Sequence, residues 1–387
     1  MDKVTFEEQL LMWRHELHKC PEESMKEKET SEYVAKQLED MGLEVHRHIG
    51  GTGVVANLKA GDGNGVVGLR ADMDALQFNE IVDLPYKSKN PGWMHACGHD
   101  GHMSMLLGAA KLLVEDNDFN GTVRFIFQPG EEPGLGARAM VEDGLLQKYP
   151  MDRIFGMHNA PQLPVGTIST RPGGVKASED DFSIIIHGKG GHASMPHFSK
   201  DPIIIATEII TALQTIVSRT ANPFDAVVVS CTDVKTDGIR NSIPSNAVIT
   251  GDVRSFKSEI QDMVEERMRM ISEAICGMHG ATCEVEYSRE FMPTINDPKC
   301  AEIAVQAAKN IVGEDMVDGN CDPETSSEDF SVFSAEIPGC YTFIGCRDDL
   351  KPDKSIALHN QKYDFNDDVL VIGARFYAEI AKISLSQ

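Results

Sequence analysis

Apolar residues recur at helical spacing from near the start of the chain. Phe6, Leu10, Leu11, Trp13 and Leu17 stand among charged residues, which predicts an amphipathic helix. A second helix is expected over residues 30–41, with Tyr33, Val34, Leu38 and Met41 on one face and Gly42 as its stop. Residues 54–58 and 66–69 read as strands on either side of the polar stretch 61–65. The pattern turns helical over 102–114 and β-rich over 123–127, where Pro129-Gly130 ends the run. A helix over 136–143 and a short strand over 154–157 follow.

Strands alternating with helices predict an α/β layer structure with a mostly parallel sheet. The middle of the chain has another rhythm. Strand candidates at 183–187, 226–231, 247–253 and 282–287 enclose helical stretches at 202–219 and 259–276. The order β-α-β-β-α-β is that of a split βαβ unit able to stand as its own domain. From about residue 292 the α/β pattern resumes. Two domains follow for a chain of 387 residues: a catalytic α/β domain of residues 1–177 and 293–387, and an inserted α+β domain of residues 178–292.

Charge narrows the function. Lys and Arg total 36 against 60 Asp and Glu, a net charge of -24. Such a surface repels phosphate backbones and anionic lipid, so no nucleic-acid or membrane partner is expected. No apolar run approaches the roughly 20 residues that span a bilayer. The first residues lack a basic start and an apolar core, so no secretory signal is read and a cytoplasmic location is expected. Nine Cys without CxxC pairs suit reduced thiols rather than a disulfide framework.

Four short motifs carry candidate chemistry, each in a loop or at a predicted strand end, where open α/β sheets gather ligands. His95-Ala96-Cys97-Gly98-His99-Asp100-Gly101-His102 packs a thiol, three imidazoles and a carboxylate into one loop. A thiolate and a neutral imidazole two positions apart can face one metal ion, while the glycines permit the tight backbone. Cys97 and His99 are the lead ligands; His95, Asp100 and His102 read as supports. Gln128-Pro129-Gly130-Glu131-Glu132 follows an apolar strand. Adjacent glutamates are common on solvated faces, but at a strand end one can bind metal while the other serves as general base. Gly156-Met157-His158-Asn159 and Leu358-His359-Asn360 each offer a His that alone would read as an ordinary polar residue. Asp72, in Arg70-Ala71-Asp72-Met73-Asp74, is placed to hydrogen-bond a ligand imidazole.

Other matches fail. His15-Glu16-Leu17-His18 is not a zincin helix, because HExxH needs its His residues at i and i+4; it reads as a charged helix face. No helix follows the glycines at 61–65, and no P-loop or GxSxG elbow is present.

The stretches RADMDAL, HACGHDGH, QPGEEPG, GMHNAPQLPVG, GKGGHASMPH, NSIPSNA and LHN together resemble the di-metal aminoacylase and carboxypeptidase family. More narrowly they are similar to the branch of hippurate hydrolase, N-acetyl-amino-acid deacetylases and auxin-conjugate hydrolases. The resemblance runs from about residue 5 to residue 385 and implies a catalytic domain interrupted by a lid domain. It implies metal-ligand roles for Cys97, His99, Glu132, His158 and His359, with Cys97 bridging two ions and Glu131 as general base. His192 would polarise the scissile carbonyl, and Asn241 and Arg254 would bind the substrate's carboxylate or backbone. The implied cofactors are two divalent ions, Zn²⁺ or Mn²⁺, with Co²⁺ or Ni²⁺ compatible with the same donors. The implied substrate is an N-acyl amino acid or short peptide, and the implied assembly a homodimer or homotetramer through the lid. Gln77, where a proline is usual, and Val175-Lys176, where apolar residues are typical, depart from the pattern away from any ligand position. A metallo-dipeptidase or aminopeptidase is the enzymatic alternative. A metal-stabilised binding protein without turnover is the other, and the intact Glu131-Glu132 pair argues against it.

Overall fold

The structure, a computed structural model, describes residues 4–350 and 355–386. The chain divides into two compact units. One comprises Met1–Val175, Ile295–Asp322 and Asp329–Gln387; the other comprises Lys176–Thr294 and Pro323–Glu328. Residues 323–328, assigned from sequence to the catalytic domain, thus pack with the inserted unit. Their main chain explains this, since Glu324 accepts from the Ala177 amide at 3.1 Å.

The first unit is built on an eight-stranded sheet. Its strands are β1 (Glu44–Ile49), β2 (Gly53–Ala60), β3 (Val66–Asp72), β4 (Gly121–Gln128), β5 (Arg153–Pro164), β6 (Ile168–Ser169), β7 (Val317–Asp318) and β8 (Gly339–Arg347). They lie in the order β1-β2-β4-β3-β5-β8-β6-β7. The centre, β4-β3-β5-β8, is parallel as expected, whereas β1, β2 and β4 pair antiparallel. Strand β1 is absent from the sequence reading because Glu44, His46, Arg47 and His48 hide its alternation.

Successive residues of the central strands enter two different cores. Phe125, Phe127, Phe155 and Met157 join one, and Ile126, Ile154, Tyr341 and Phe343 the other. Both faces of the sheet are therefore covered, as a parallel sheet requires. The helices Phe6–His18, His99–Asp116, Pro298–Val312 and Leu370–Leu385 contribute to the first core; Gly136–Glu142 and Phe330–Glu336 contribute to the second. Helix Phe6–His18 starts with a capping box, Thr5 and Glu8 each satisfying the other's amide.

His18, expected on a charged helix face, is fully buried, and so is Arg14 one turn before it. Their burial is possible because carboxylates meet them. Arg14 pairs with Asp367 at 2.7 Å and Asp364 at 3.1 Å, and His18 Nδ1 lies 2.7 Å from Asp100.

The second unit has the β-α-β-β-α-β order. Its strands Val227–Thr236, Asn246–Ser255, Glu179–His187 and Thr282–Phe291 form, in that spatial order, an antiparallel sheet. Phe182, Ile184, Ile186, Ile249 and Val253 alternate onto one face, where helices Pro202–Thr215 and Ser258–Met278 bury Ile205, Ile209, Val264 and Met268. Against the expectation that no apolar run approaches spanning length, the helical segment Pro202–Thr220 has 19 residues and is apolar enough by composition to cross a membrane. Ile205, Ala206, Ile209 and Leu213 pack it on the sheet, and a core helix of that kind has the same composition as a spanning one.

Candidate active site

The parallel register brings the motifs to one edge of the sheet. Asp72 and Gln128 are paired at the ends of β3 and β4, and Arg70 pairs with Gly156, two residues before His158 in β5. Beyond β4 the chain turns through Gly130, at φ 52°, into Glu131 and Glu132. Cys97 and His99 flank Gly98, at φ 94°, which starts helix His99–Asp116. A Cβ on Gly98 would stand 2.5 Å from the Asn159 side-chain oxygen, so only glycine allows this approach. His359, also left-handed at φ 58°, donates its amide to the Ala96 carbonyl at 2.9 Å. A bulky residue held in that conformation marks a constrained position.

All five residues expected as metal ligands meet in the first unit. Cys97, His99 and His158 bring one donor atom each within 4.8 Å of one another, and so do Cys97, Glu132 and His359. Cys97 is common to both groups. Its Sγ lies 3.4 Å from His158 Nε2, and His359 Nε2 lies 3.5 Å from Glu132. Glu131 joins His99 and Glu132 in a third group, its carboxylate 4.0 Å from His99 Nε2.

The residues present fit a metal. His99 Nε2 and Glu132 Oε1 are buried without a hydrogen-bond partner, an arrangement that is costly for a polar atom unless a further group completes it. Charge points the same way. Burial, then the Glu132 charge, pushes the Cys97 thiol well above its ordinary range, with His99 opposing. Burial pushes the Glu132 carboxyl up to about 7, against the pull of His99. Burial disfavours the charged form of His99, but Asp72, Cys97 and Asp74 outweigh it and hold its proton well above the usual imidazole range. A thiol and two carboxylates crowd one point, and divalent cations balance them.

The surrounding residues fall differently from expectation. Asp72 does bond an imidazole, but that of His102, at 2.6 Å, while its other oxygen takes Arg70 at 2.9 Å. Its nearest approach to His99 Nε2 is 3.9 Å. His99 is held instead by Asp74, through the main-chain oxygen at 2.9 Å and the carboxylate at 3.3 Å. Asp74 also accepts from Ser24 at 2.7 Å and from the Glu132 amide at 3.1 Å. The sequence signal for Asp74 was its place two residues after Asp72, on the same side of an extended chain. His102 spends both nitrogens on Asp72 and Asn159, and Asp100 pairs with His18. His95 is buried and burial lowers it to about 4, so its ring is neutral.

The remaining candidates belong to the second unit. His192 is exposed, and its Nδ1 accepts from the Ser194 amide at 3.2 Å. Ser242 pairs with His192, and Ala193 donates to the Asn241 carbonyl at 3.1 Å, so His192 and Asn241 share one small ribbon. Arg254, expected to bind the substrate's carboxylate or backbone, is ion-paired within the second unit. Its guanidinium pairs with Glu179 at 2.7 Å and Asp252 at 2.9 Å. With both edges of the fork taken, a substrate carboxylate would have to displace one already there.

The sequence profile of peptidase family M20/M25/M40 matches residues 68–383. The chain belongs to that family. It is 40% identical to the hippurate hydrolase of Campylobacter jejuni, over 95% of this chain and 94% of the relative. It is 38% identical to the N-acetylcysteine deacetylase of Bacillus subtilis, over 100% of this chain and 99% of the relative. A crystal structure from Bacillus subtilis, described as a dinuclear metal-binding peptidase from the M20 family, superposes with a TM-score of 0.86 at 35% identity. That match covers 98% of this chain and 99% of the other. This M20/M25/M40 chain is accordingly a metal-binding hydrolase with a mixed α/β fold.

Proposed function

We propose that the chain hydrolyses the amide bond of N-acyl amino acids, or of short peptides beside their terminal carboxylate. The observation that carries this reading is the Glu131 carboxylate. It is buried beside the two ligand groups that share Cys97, and it belongs to neither of them. Relatives that include a hippurate hydrolase and an N-acetylcysteine deacetylase support the substrate class.

Cys97, His99 and His158 would hold one divalent ion, and Cys97, Glu132 and His359 a second; Zn²⁺ and Mn²⁺ both suit these donors. When bound, such ions lower the pKa of water toward about 7 and polarise a carbonyl. Glu131 takes the proton of the attacking water and passes it to the departing amine. His192 is assigned the hydrogen bond to the carbonyl oxygen. Acceptance of the Ser194 amide at Nδ1 supports this, because the proton of the neutral ring then sits on Nε2. Asn241, beside it on the ribbon, is assigned to the substrate backbone. Assembly as a homodimer or homotetramer is assigned to the second unit, whose Pro202–Thr215 helix exposes Ile203 and Ile204.

The test is a parallel assay of N-acetyl amino acids, benzoylglycine and dipeptides with Zn²⁺ or Mn²⁺ added. The acylated substrates are expected to turn over. Turnover confined to dipeptides with a free amine would replace this reading with a dipeptidase or aminopeptidase.

A further inference from the structure

Behind the Glu131 loop stands a residue that neither the motifs nor the ligand groups include. Glu27 occupies the N-cap of helix Lys28–Asp40, yet its side chain makes no cap bond. Glu22 takes that task, accepting from the amides of Lys28 at 3.1 Å and Thr30 at 2.9 Å. The Glu27 carboxylate is turned inward and fully buried. One oxygen accepts from the Gly130 amide at 2.8 Å and the Met25 amide at 2.7 Å; the other accepts from the Thr52 hydroxyl at 2.5 Å.

A buried carboxylate is costly, and three donors converging on it are what make it tolerable. The backbone around it is equally committed. Met25 stands at φ 66° and Gly130 at φ 52°. A Cβ on Gly130 would lie 2.4 Å from the Met25 sulfur, so the two left-handed residues are packed face to face. A non-glycine residue persists in that region only where its surroundings fix it. The same arch reaches a second site loop, with Ser24 donating to Asp74 at 2.7 Å and Ala75 donating to the Glu22 carbonyl at 3.0 Å.

We infer that Glu27 is a positioning residue for Glu131: it grips the amide of Gly130, immediately before Glu131, and so sets the direction of that carboxylate. This rests on the assignment of Glu131 as general base. Misplacing a reacting group by about 1 Å costs on the order of 10²-fold in rate.

The experiment is a double-mutant cycle on the metal-loaded enzyme with benzoylglycine, reading kcat, KM, metal content and thermal unfolding. Glu27→Ala is expected to lower kcat by about 10²-fold with KM and metal content held. Glu27→Gln keeps an oxygen for both amides and is expected to stay within about threefold of wild type. In a Glu131→Gln background, Glu27→Ala is expected to cost little more, since residues that act as a unit are non-additive. Should Glu27→Ala fail to fold, Thr52→Val removes one grip on the carboxylate and is expected to lower kcat in the same non-additive way. Equal losses from Glu27→Ala or Thr52→Val in both backgrounds, or a Glu27→Gln variant as slow as Glu27→Ala, would overturn the inference. Full activity of Glu131→Gln would instead overturn the base assignment, a separate outcome.

Discussion

The Nδ1 of His99 lies 2.9 Å from the main-chain oxygen of Asp74, so the ring's proton is fixed on that nitrogen. Nε2 faces Cys97, Glu131 and Glu132 and becomes the ligand atom when a metal takes the place of the second proton that its surroundings favour. Because the Asp74 carboxylate lies a further contact away, at 3.3 Å, the tautomer does not depend on it alone. The carboxylate has another task, joining Ser24 to the Glu132 amide.

Asp74→Asn should therefore weaken metal binding without abolishing it. The main-chain bond survives, but Oδ2 accepts from Ser24 and the Glu132 amide while Oδ1 faces His99 Nδ1 at 3.3 Å, so an amide nitrogen in either place meets a donor. A loss of about 10–100-fold in metal affinity is expected, the usual effect of removing such an outer partner. Competition with a chelator of known affinity measures it, and an unchanged affinity would contradict the account.

Cys97 belongs to both ligand groups, whereas His158 and His359 belong to one each. Metal content should reflect that. Cys97→Ala is expected to lose both ions, and His158→Ala and His359→Ala to lose one apiece. Elemental analysis after dialysis reads this directly. A Cys97→Ala protein that keeps as much metal as His158→Ala would remove the bridging role.

Glu131→Gln preserves shape and leaves the groups that share Cys97 intact, so metal should stay. Turnover should fall by at least about 10²–10⁴-fold, the range associated with a lost acid or base. A variant that loses metal in proportion to activity would make Glu131 a ligand instead.

Arg254 separates the sequence reading from the structure most cleanly. Its donors already serve Glu179 and Asp252, so Arg254→Ala should leave KM for N-acyl amino acids within about threefold of wild type. It should cost about 1 kcal/mol of stability, the scale of a partly exposed ion pair. Calorimetry and steady-state kinetics report both quantities. A KM raised a hundredfold, with stability unchanged, would restore the carboxylate-anchor role.

Cys97 and His99 stood out in the sequence because metal chemistry crowds rare residue types onto one loop. His158 and His359 read alone as ordinary polar residues, and it was the family resemblance that named them, with Glu132, as ligands. Their supports could not be read in either way. Asp72 and Asp74 are alike in sequence, and which one meets His99 is decided by where helix His99–Asp116 packs, which sets His102 against Asp72 and His99 against Asp74. His18 looked like a surface residue, since nothing local shows that Asp100 and Glu80 come to meet it. Glu27 reads as an ordinary helix-start acid, because its partner Gly130 is distant along the chain. The substrate-binding role of Arg254 came from the family resemblance, and the packing that sets Glu179 and Asp252 beside it has no mark in the sequence. The sheet's centre was readable from apolar runs, while β1 was hidden by charged residues at an edge that water can reach.

The His18–Asp100 contact makes stability depend on pH in a direction that can be worked out. Burial alone would lower the His18 proton affinity, but the hydrogen bonds to Asp100 and Glu80 outweigh it and raise the pKa from 6.5 to about 9. A folded value above the unfolded one means that protonation favours the native state. The contribution is complete below about 6.5, falls as pH rises between the two values, and is gone above about 9. Its full size is on the order of 3 kcal/mol, from the pKa difference. Urea unfolding of the wild type and of His18→Gln, in saturating metal from pH 6 to 9.5, isolates it. The gap between the two proteins should be widest near pH 6 and narrow steadily as the histidine loses its proton. A gap of constant size across that range would mean that His18 is neutral throughout, bonded to Asp100 but not ion-paired with it.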